Sequence, residues 1–294
     1  CCGRWGSLIT WYLDHIGHRV TLYGRAASPR MQAFLTTRQN DLLTLPESVA
    51  LSTALDAALE SAETVIISIG SQSLRSLLGQ SELQALRSRT VVLCMKGLEM
   101  GTGARLSQIA AELLHPSNTV AVWLGPGHVQ EFYRGIPNCM VIDSENEDVK
   151  RRLVQAFSSD LIRFYYGGDM IGNEVGAAAK NVVGIAAGFL DGFEMSSLKG
   201  ALMSRGTREV ARLIKAMGGS ELSAYGLCHL GDYEATVFSP YSHNRQFGES
   251  FVRGQDYHQL AEGYYTVKAL MLLGQRYGVE LPICKAVHDI LYEQ

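Results

Sequence analysis

Lys180 stands in the middle of a stretch, Asn173-Glu174-Val175-Gly176-Ala177-Ala178-Ala179-Lys180-Asn181-Val182-Val183-Gly184-Ile185-Ala186-Ala187-Gly188, that is otherwise almost entirely small or apolar. At helical spacing this sets one ammonium, with Asn181 beside it, on a surface that neighbouring elements can approach closely. Desolvation disfavours the charged form of a lysine, which is how such a group becomes usable as an acid or base. The segment alone leaves an ordinary exposed lysine as the alternative. A second pattern opens the sequence: Cys1-Cys2-Gly3-Arg4-Trp5-Gly6 carries two of the three glycines of a G-x-G-x-x-G turn, with Cys1 in the first slot. Such a turn lies between a strand and a helix, and its backbone N–H groups face a dinucleotide pyrophosphate. Gly3 would allow close approach and Gly6 close packing. About 20 residues on, where the adenosine ribose is read, stands Gly24-Arg25. A guanidinium there suits a 2′-phosphate, through paired charge-assisted bonds, and favours NADPH over NADH. The plain alternative is a solvated loop arginine.

The elements that must position these groups follow from periodicity. Ser7 to His15 reads as a helix, Arg19 to Tyr23 as a strand, Leu51 to Ser61 as a helix and Thr64 to Ser68 as a buried strand. Further helices are expected over 74–86 and 104–114, and strands over 90–95 and 119–123. Met140 to Ile142 and Ile162 to Tyr166 add late strands around a helix from Asn146 to Phe157. Short β-branched runs alternating with helices predict a parallel, doubly wound sheet covered on both faces. Beyond Asp169 long helical patterns replace strands, over 174–190, 198–217, 223–230, 250–252, 257–277 and 282–292. The expected organisation is α/β: a nucleotide-binding domain over residues 1–170, then an all-α domain over 171–294.

Several segments, taken in order, resemble one family, the bacterial-type NAD(P)-dependent sn-glycerol-3-phosphate dehydrogenases. The Asn173–Gly188 helix resembles the family's signature helix. Cys94-Met95-Lys96-Gly97-Leu98-Glu99 resembles its T-K-G-L-E strand end, and Gly125-Pro126-Gly127-His128-Val129-Gln130-Glu131 its G-P-S-x-A-x-E loop. Ala201 to Gly206 resembles A-L-I-T-R-G, Gly231-Asp232 with Thr236 resembles G-D-L-x-x-T, and Ser242 to Gly248 resembles S-R-N-R-x-F-G. Glu262-Gly263 matches V-E-G. The resemblance implies a Rossmann-type first domain and hydride transfer between NAD(P)H and dihydroxyacetone phosphate, yielding glycerol 3-phosphate for phospholipid synthesis. It makes Lys180 the general acid toward the C2 oxygen, Asp232 its orienting partner and Thr236 a polar support. Lys96 would hold substrate beside the nicotinamide. Gly125, Gly127, Asn181, Ser242, His243 and Asn244 complete the expected substrate set. Gly3, Arg4, Trp5, Gly6, Arg25, Lys96, Val129, His243, Leu260 and Glu262 form the expected cofactor set, with NADP favoured over NAD.

The sequence departs from the pattern in places. His243 stands where the family has an arginine that grips the substrate phosphate, and a neutral imidazole offers one donor where a guanidinium offers five. Gly127 and Val129 replace Ser and Ala, and Cys1 replaces a glycine. The rival readings are another two-domain dehydrogenase of the β-hydroxyacid or ketopantoate type, and a nucleotide-binding regulatory protein that has lost catalysis.

Bulk properties narrow the partners. A net charge of −3 among 294 residues supplies no basic field for nucleic acid. The six cysteines are too scattered for a zinc knuckle, no HxxxH or HExxH spacing occurs, and no metal is expected. His128, His229 and Cys228 read as structural. The most apolar run, Val182 to Leu190, is far short of the roughly 20 residues that span a bilayer, and no basic-then-apolar leader is visible. A cytoplasmic protein acting on a small molecule, without nucleic acid or membrane insertion and assembled as a homodimer, is expected.

Overall fold

The computed structural model describes residues 2–293, so the reading of Cys1 as the first glycine slot lies outside the described residues. Among the described residues seven strands form: β1 (Thr21–Tyr23), β2 (Ala50–Ser52), β3 (Thr64–Ile67), β4 (Thr90–Leu93), β5 (Thr119–Leu124), β6 (Asn138–Asp143) and β7 (Ile162–Tyr166). Strands β3 to β7 lie side by side in chain order, and β1 pairs only with β2. The expected all-parallel sheet is corrected at one joint. β5 and β6 run antiparallel, Val122 facing Asp143 and Leu124 facing Val141, because the short helix between them does not return the chain to the other end of the sheet. Between β1 and β3 runs a cleft of about 550 Å³, lined by Val20, Leu22, Thr64, Ile66, Ile9 and Phe157.

The helices of the first half are α1 (Arg4–His15), α2 (Pro29–Thr37), α3 (Leu55–Glu60), α4 (Leu74–Leu78), α5 (Ser81–Gln84), α6 (Leu106–Leu113), α7 (Val129–Tyr133) and α8 (Glu147–Phe157). The helix expected over 51–61 is instead β2 followed by α3. Leu51 registers with Leu22 in the β1–β2 ladder, and the Ser52 hydroxyl closes a turn on Ala54, which breaks the helical pattern. The second half is helical: α9 (Met170–Gly192), α10 (Lys199–Ala216), α11 (His243–Val252), α12 (Glu262–Tyr277) and α13 (Pro282–Tyr292). The stretch expected as a helix over 223–230 resolves into single turns, Glu221–Tyr225 and Leu230–Asp232, then a π-helical turn at Glu234–Phe238.

α9 is the axis of this half. Asp169 caps it by accepting the Gly172 N–H, and Glu174, buried in its first turns, accepts bonds from Arg105 and Ser107 at the start of α6. These bonds fix α9 to the sheet domain. Its glycines let α11 pack backbone to backbone: a Cβ at Gly188 would overlap the Arg245 carbonyl, and one at Gly248 the Ile185 carbonyl. Gly188→Ala is therefore expected to lower stability by about 1–3 kcal/mol, the usual cost of overpacking, read as a lower urea midpoint. An unchanged midpoint would show that α11 does not rest on α9 this closely.

Candidate active site

Lys180 lies in the buried middle of α9, and its Nζ is 3.0 Å from Asp232 Oδ2. It also donates to Thr236 Oγ1 at 2.7 Å. The Thr236 hydroxyl donates onward to the Asp232 carbonyl at 2.7 Å, so the turns after Leu230 hold carboxylate and hydroxyl on one side of the lysine. Lys96 reaches the same carboxylate oxygen from beyond the C-terminal end of β4: its Nζ is 2.7 Å from Asp232 Oδ2 and 2.5 Å from the Gly125 carbonyl. Two ammoniums thus share one oxygen of a fully buried aspartate. Its other oxygen, Oδ1, is buried and has no hydrogen-bond partner among the described residues.

The electrostatics favour proton exchange at Lys180. Burial pulls its pKa down to about 8, and the charge of Lys96 adds to the fall, while Asp232 opposes it. His128, at the start of α7, is pushed down to about 4 by burial first, then by the charge of Lys180, with Lys96 and Arg4 contributing and Asp232 opposing. It is therefore a neutral imidazole within the field of the two lysines. Its buried Nε2 has no partner among the described residues. His128 stands in the loop after the C-terminal end of β5, where α/β sheets bind ligands. His229 is structural, bonded to the Gly176 carbonyl and the Tyr233 hydroxyl, and Cys228 is buried.

Asn181 and Asn244 are near the cluster but largely occupied with each other. Asn181 donates to the Lys96 carbonyl at 2.8 Å and accepts from Asn244 Nδ2 at 3.0 Å, while Asn244 Oδ1 accepts the Gly263 N–H at 2.9 Å. This chain ties α9, α11 and α12 to the strand end that carries Lys96. The Ser242 hydroxyl caps α11 by accepting the Arg245 N–H. Gly125 and Gly127 have φ of 127° and 135°, and a Cβ at Gly127 would overlap the Phe132 ring, which accounts for glycine here in place of serine.

The expected cofactor residues line a second region. The Ser7 N–H bonds the Gly3 carbonyl, so the N–H groups of Arg4, Trp5 and Gly6 open the first turn of α1, which has no capping side chain and no acidic residue. That geometry fits a pyrophosphate. Arg25 is exposed just past β1. An Arg30 guanidinium nitrogen lies 3.8 Å from where a Gly3 Cβ would stand, a second cation that sequence reasoning misses because no motif spacing marks it. Glu262 accepts the Ser71 N–H at 2.9 Å and the Ser71 hydroxyl at 2.5 Å, and burial pushes its pKa up. Leu260 is exposed beside Gly70, whereas Val129 is buried in the sheet-domain core with Phe132. Where the two halves of the chain face each other, in the cleft that Lys96 and Asp232 also bridge, Arg4 donates to His243 Nε2, and His243 Nδ1 bonds the Tyr257 hydroxyl at 2.6 Å.

Residues 2–150 match the family described as NAD-dependent glycerol-3-phosphate dehydrogenase N-terminus, and residues 169–294 its C-terminus. A Nitrosomonas europaea protein named glycerol-3-phosphate dehydrogenase [NAD(P)+] is 36% identical, over 99% of this chain and 92% of that one. The Streptomyces griseus protein of the same name is 35% identical, over 99% and 90%. The crystal structure of glycerol-3-phosphate dehydrogenase from Coxiella burnetii superposes with a TM-score of 0.92 at 27% identity, covering 99% of this chain and 92% of that one. With both halves matched in order and full-length relatives at this identity, the chain belongs to the NAD-dependent glycerol-3-phosphate dehydrogenase family.

Proposed function

We propose that this protein interconverts dihydroxyacetone phosphate and sn-glycerol 3-phosphate with NAD(P)H, from two domains spanning 1–170 and 171–294. The observation that carries the reading is the pair of ammoniums on one buried carboxylate, with Arg4 as a further cation bonded to His243, whose neighbour Asn244 bonds Asn181 beside Lys180. Three positive groups against one negative group leave a surplus that matches a dianionic phosphate monoester. When bound, a reduced nicotinamide supplies the hydride. Lys180 gives its proton to the C2 oxygen as negative charge develops there, and takes it back in the reverse direction. Asp232 holds the ammonium in place through Oδ2, and Thr236 fixes its direction. Lys96, between Asp232 and the Gly125 carbonyl, holds the substrate end that faces the sheet. The product would feed phospholipid synthesis, in the cytoplasm and from a homodimer. No helix among the described residues is long and apolar enough to cross a membrane.

The test is dihydroxyacetone phosphate-dependent oxidation of NADPH and NADH, followed by absorbance. Turnover with both, and a lower KM for NADPH, is expected from Arg25 and Arg30 at the ribose end. Arg25→Ala should raise the KM for NADPH about 10-fold, the worth of one charge-assisted contact, and leave that for NADH nearly unchanged. No ketone-dependent oxidation of either cofactor would overturn the function; equal effects on both would overturn the role of Arg25.

A further inference from the structure

His243 is held as a neutral imidazole whose single N–H is already used. Arg4 can only donate, so His243 Nε2 must accept. Nδ1 then carries the hydrogen and donates to the Tyr257 hydroxyl at 2.6 Å, and that hydroxyl donates to Gln246 Oε1 at 3.2 Å. The Gln246 amide in turn donates to the Pro240 carbonyl. Every direction in this chain is fixed by the donor at its head. Burial and the charge of Arg4 both hold His243 below its ordinary pKa, and burial keeps Tyr257 protonated, pushed up to about 12. His243 thus presents neither charge nor donor to the cleft.

Arg4 does. It is the first residue of α1, half-buried at the glycine turn, and spends one guanidinium contact on His243. No carboxylate pairs with it among the described residues. Its partner His243 adjoins Asn244, which bonds Asn181 beside Lys180, and Asn181 bonds the Lys96 carbonyl, so the three cations gather at one place. We propose that Arg4, reaching across the cleft from the nucleotide-binding domain, is the guanidinium that grips the phosphate of the ketone substrate, with His243, Tyr257 and Gln246 as the acceptor chain that aims it. The cation that position 243 lacks is supplied from the opposite wall. Specificity for a phosphorylated ketone then depends on both domains, because the phosphate ligand and the proton donor Lys180 sit on different ones.

This inference rests on the proposed substrate, and the phosphoryl oxygens at Arg4 have two sources, substrate phosphate or cofactor pyrophosphate. The experiment measures, for wild type, Arg4→Gln and Arg4→Gln/His243→Arg, the ratio of kcat/KM for dihydroxyacetone phosphate to that for dihydroxyacetone, with the Kd of NADPH. Arg4→Gln is expected to lower the ratio about 30-fold, the scale of a charge-assisted contact, and to spare the NADPH Kd, because a pyrophosphate at this turn meets the Arg4 backbone N–H, which the substitution keeps. Restoring a guanidinium at 243 in that background should recover most of the loss. A loss confined to NADPH binding, or equal for both ketones, overturns the proposal, as does no recovery in the double variant. If the wild type turns over neither ketone, the proposed function has failed and calorimetry with inorganic phosphate decides on Arg4: binding lost in Arg4→Gln and regained in the double variant supports it, and binding unchanged overturns it.

Discussion

Lys180→Ala is expected to lower turnover of dihydroxyacetone phosphate by about 100-fold or more, the usual scale for a positioned acid or base, while NADPH binding stays close to wild type. Binding survives because the proposed pyrophosphate turn at Gly3–Gly6 belongs to the other half of the chain. The fold survives because Ala suits the helix interior and Asp232 keeps Lys96 at 2.7 Å, so no buried carboxylate is left without a counter-charge. The same lysine predicts opposite pH dependences. Its pKa is lowered to about 8, and reduction needs the protonated form, so kcat/KM for the ketone should fall as pH rises through about 8. Oxidation of sn-glycerol 3-phosphate needs the free amine and should rise through the same range. Wild-type turnover in Lys180→Ala would transfer the acid role to Lys96, the other ammonium on Asp232.

The residues that could do chemistry are legible in the sequence because each sits in a local pattern. Lys180 is marked by the small residues around it, Lys96 by the end of an apolar strand, and Asp232 with Thr236 by the resemblance. The elements around them are legible where periodicity is strong: the strand at Ile162–Tyr166 and the helix at Pro282–Tyr292 have the bounds expected. What stays hidden depends on contacts distant in sequence. Nothing local says that β6 turns antiparallel or that Leu51 joins a strand ladder, since both follow from pairing partners. Periodicity shows α11 only as a three-residue stub at 250–252, yet the helix begins at His243, because Gly248 inside it argues against a helix unless α9 lies against it. The stub would leave His243 and Asn244 in a loop, when they occupy the first turn of a helix aimed into the cleft. Tyr257 and Arg4 acquire meaning only when the two walls are brought together, 239 residues apart in the case of Arg4 and His243.

Asp232→Asn separates the charge of this residue from its shape. The amide keeps the volume, and one orientation sets its oxygen toward the two lysines and its NH₂ toward the buried position where Oδ1 now lacks a partner. What is lost is the negative charge that opposes the fall of the Lys180 pKa. With Lys96 still present, two ammoniums then face each other without a counter-charge, and the Lys180 pKa should drop further, by roughly 1–3 pH units, the range for losing an adjacent opposite charge. From about pH 9 upward the acid form becomes scarce, so reduction should slow by about 10-fold or more, because a pKa lower by about one leaves about a tenth as much acid above both values. Lowering the pH should recover part of the loss, and the limb of the kcat/KM profile should move to acid pH. The double variant Lys180→Ala/Asp232→Asn should be little worse than Lys180→Ala alone, because an aspartate acting through the lysine has nothing left to act on. A deficit of the same size at every pH would show that Asp232 serves geometry alone, and fully additive losses would show that the two residues do not work as one unit.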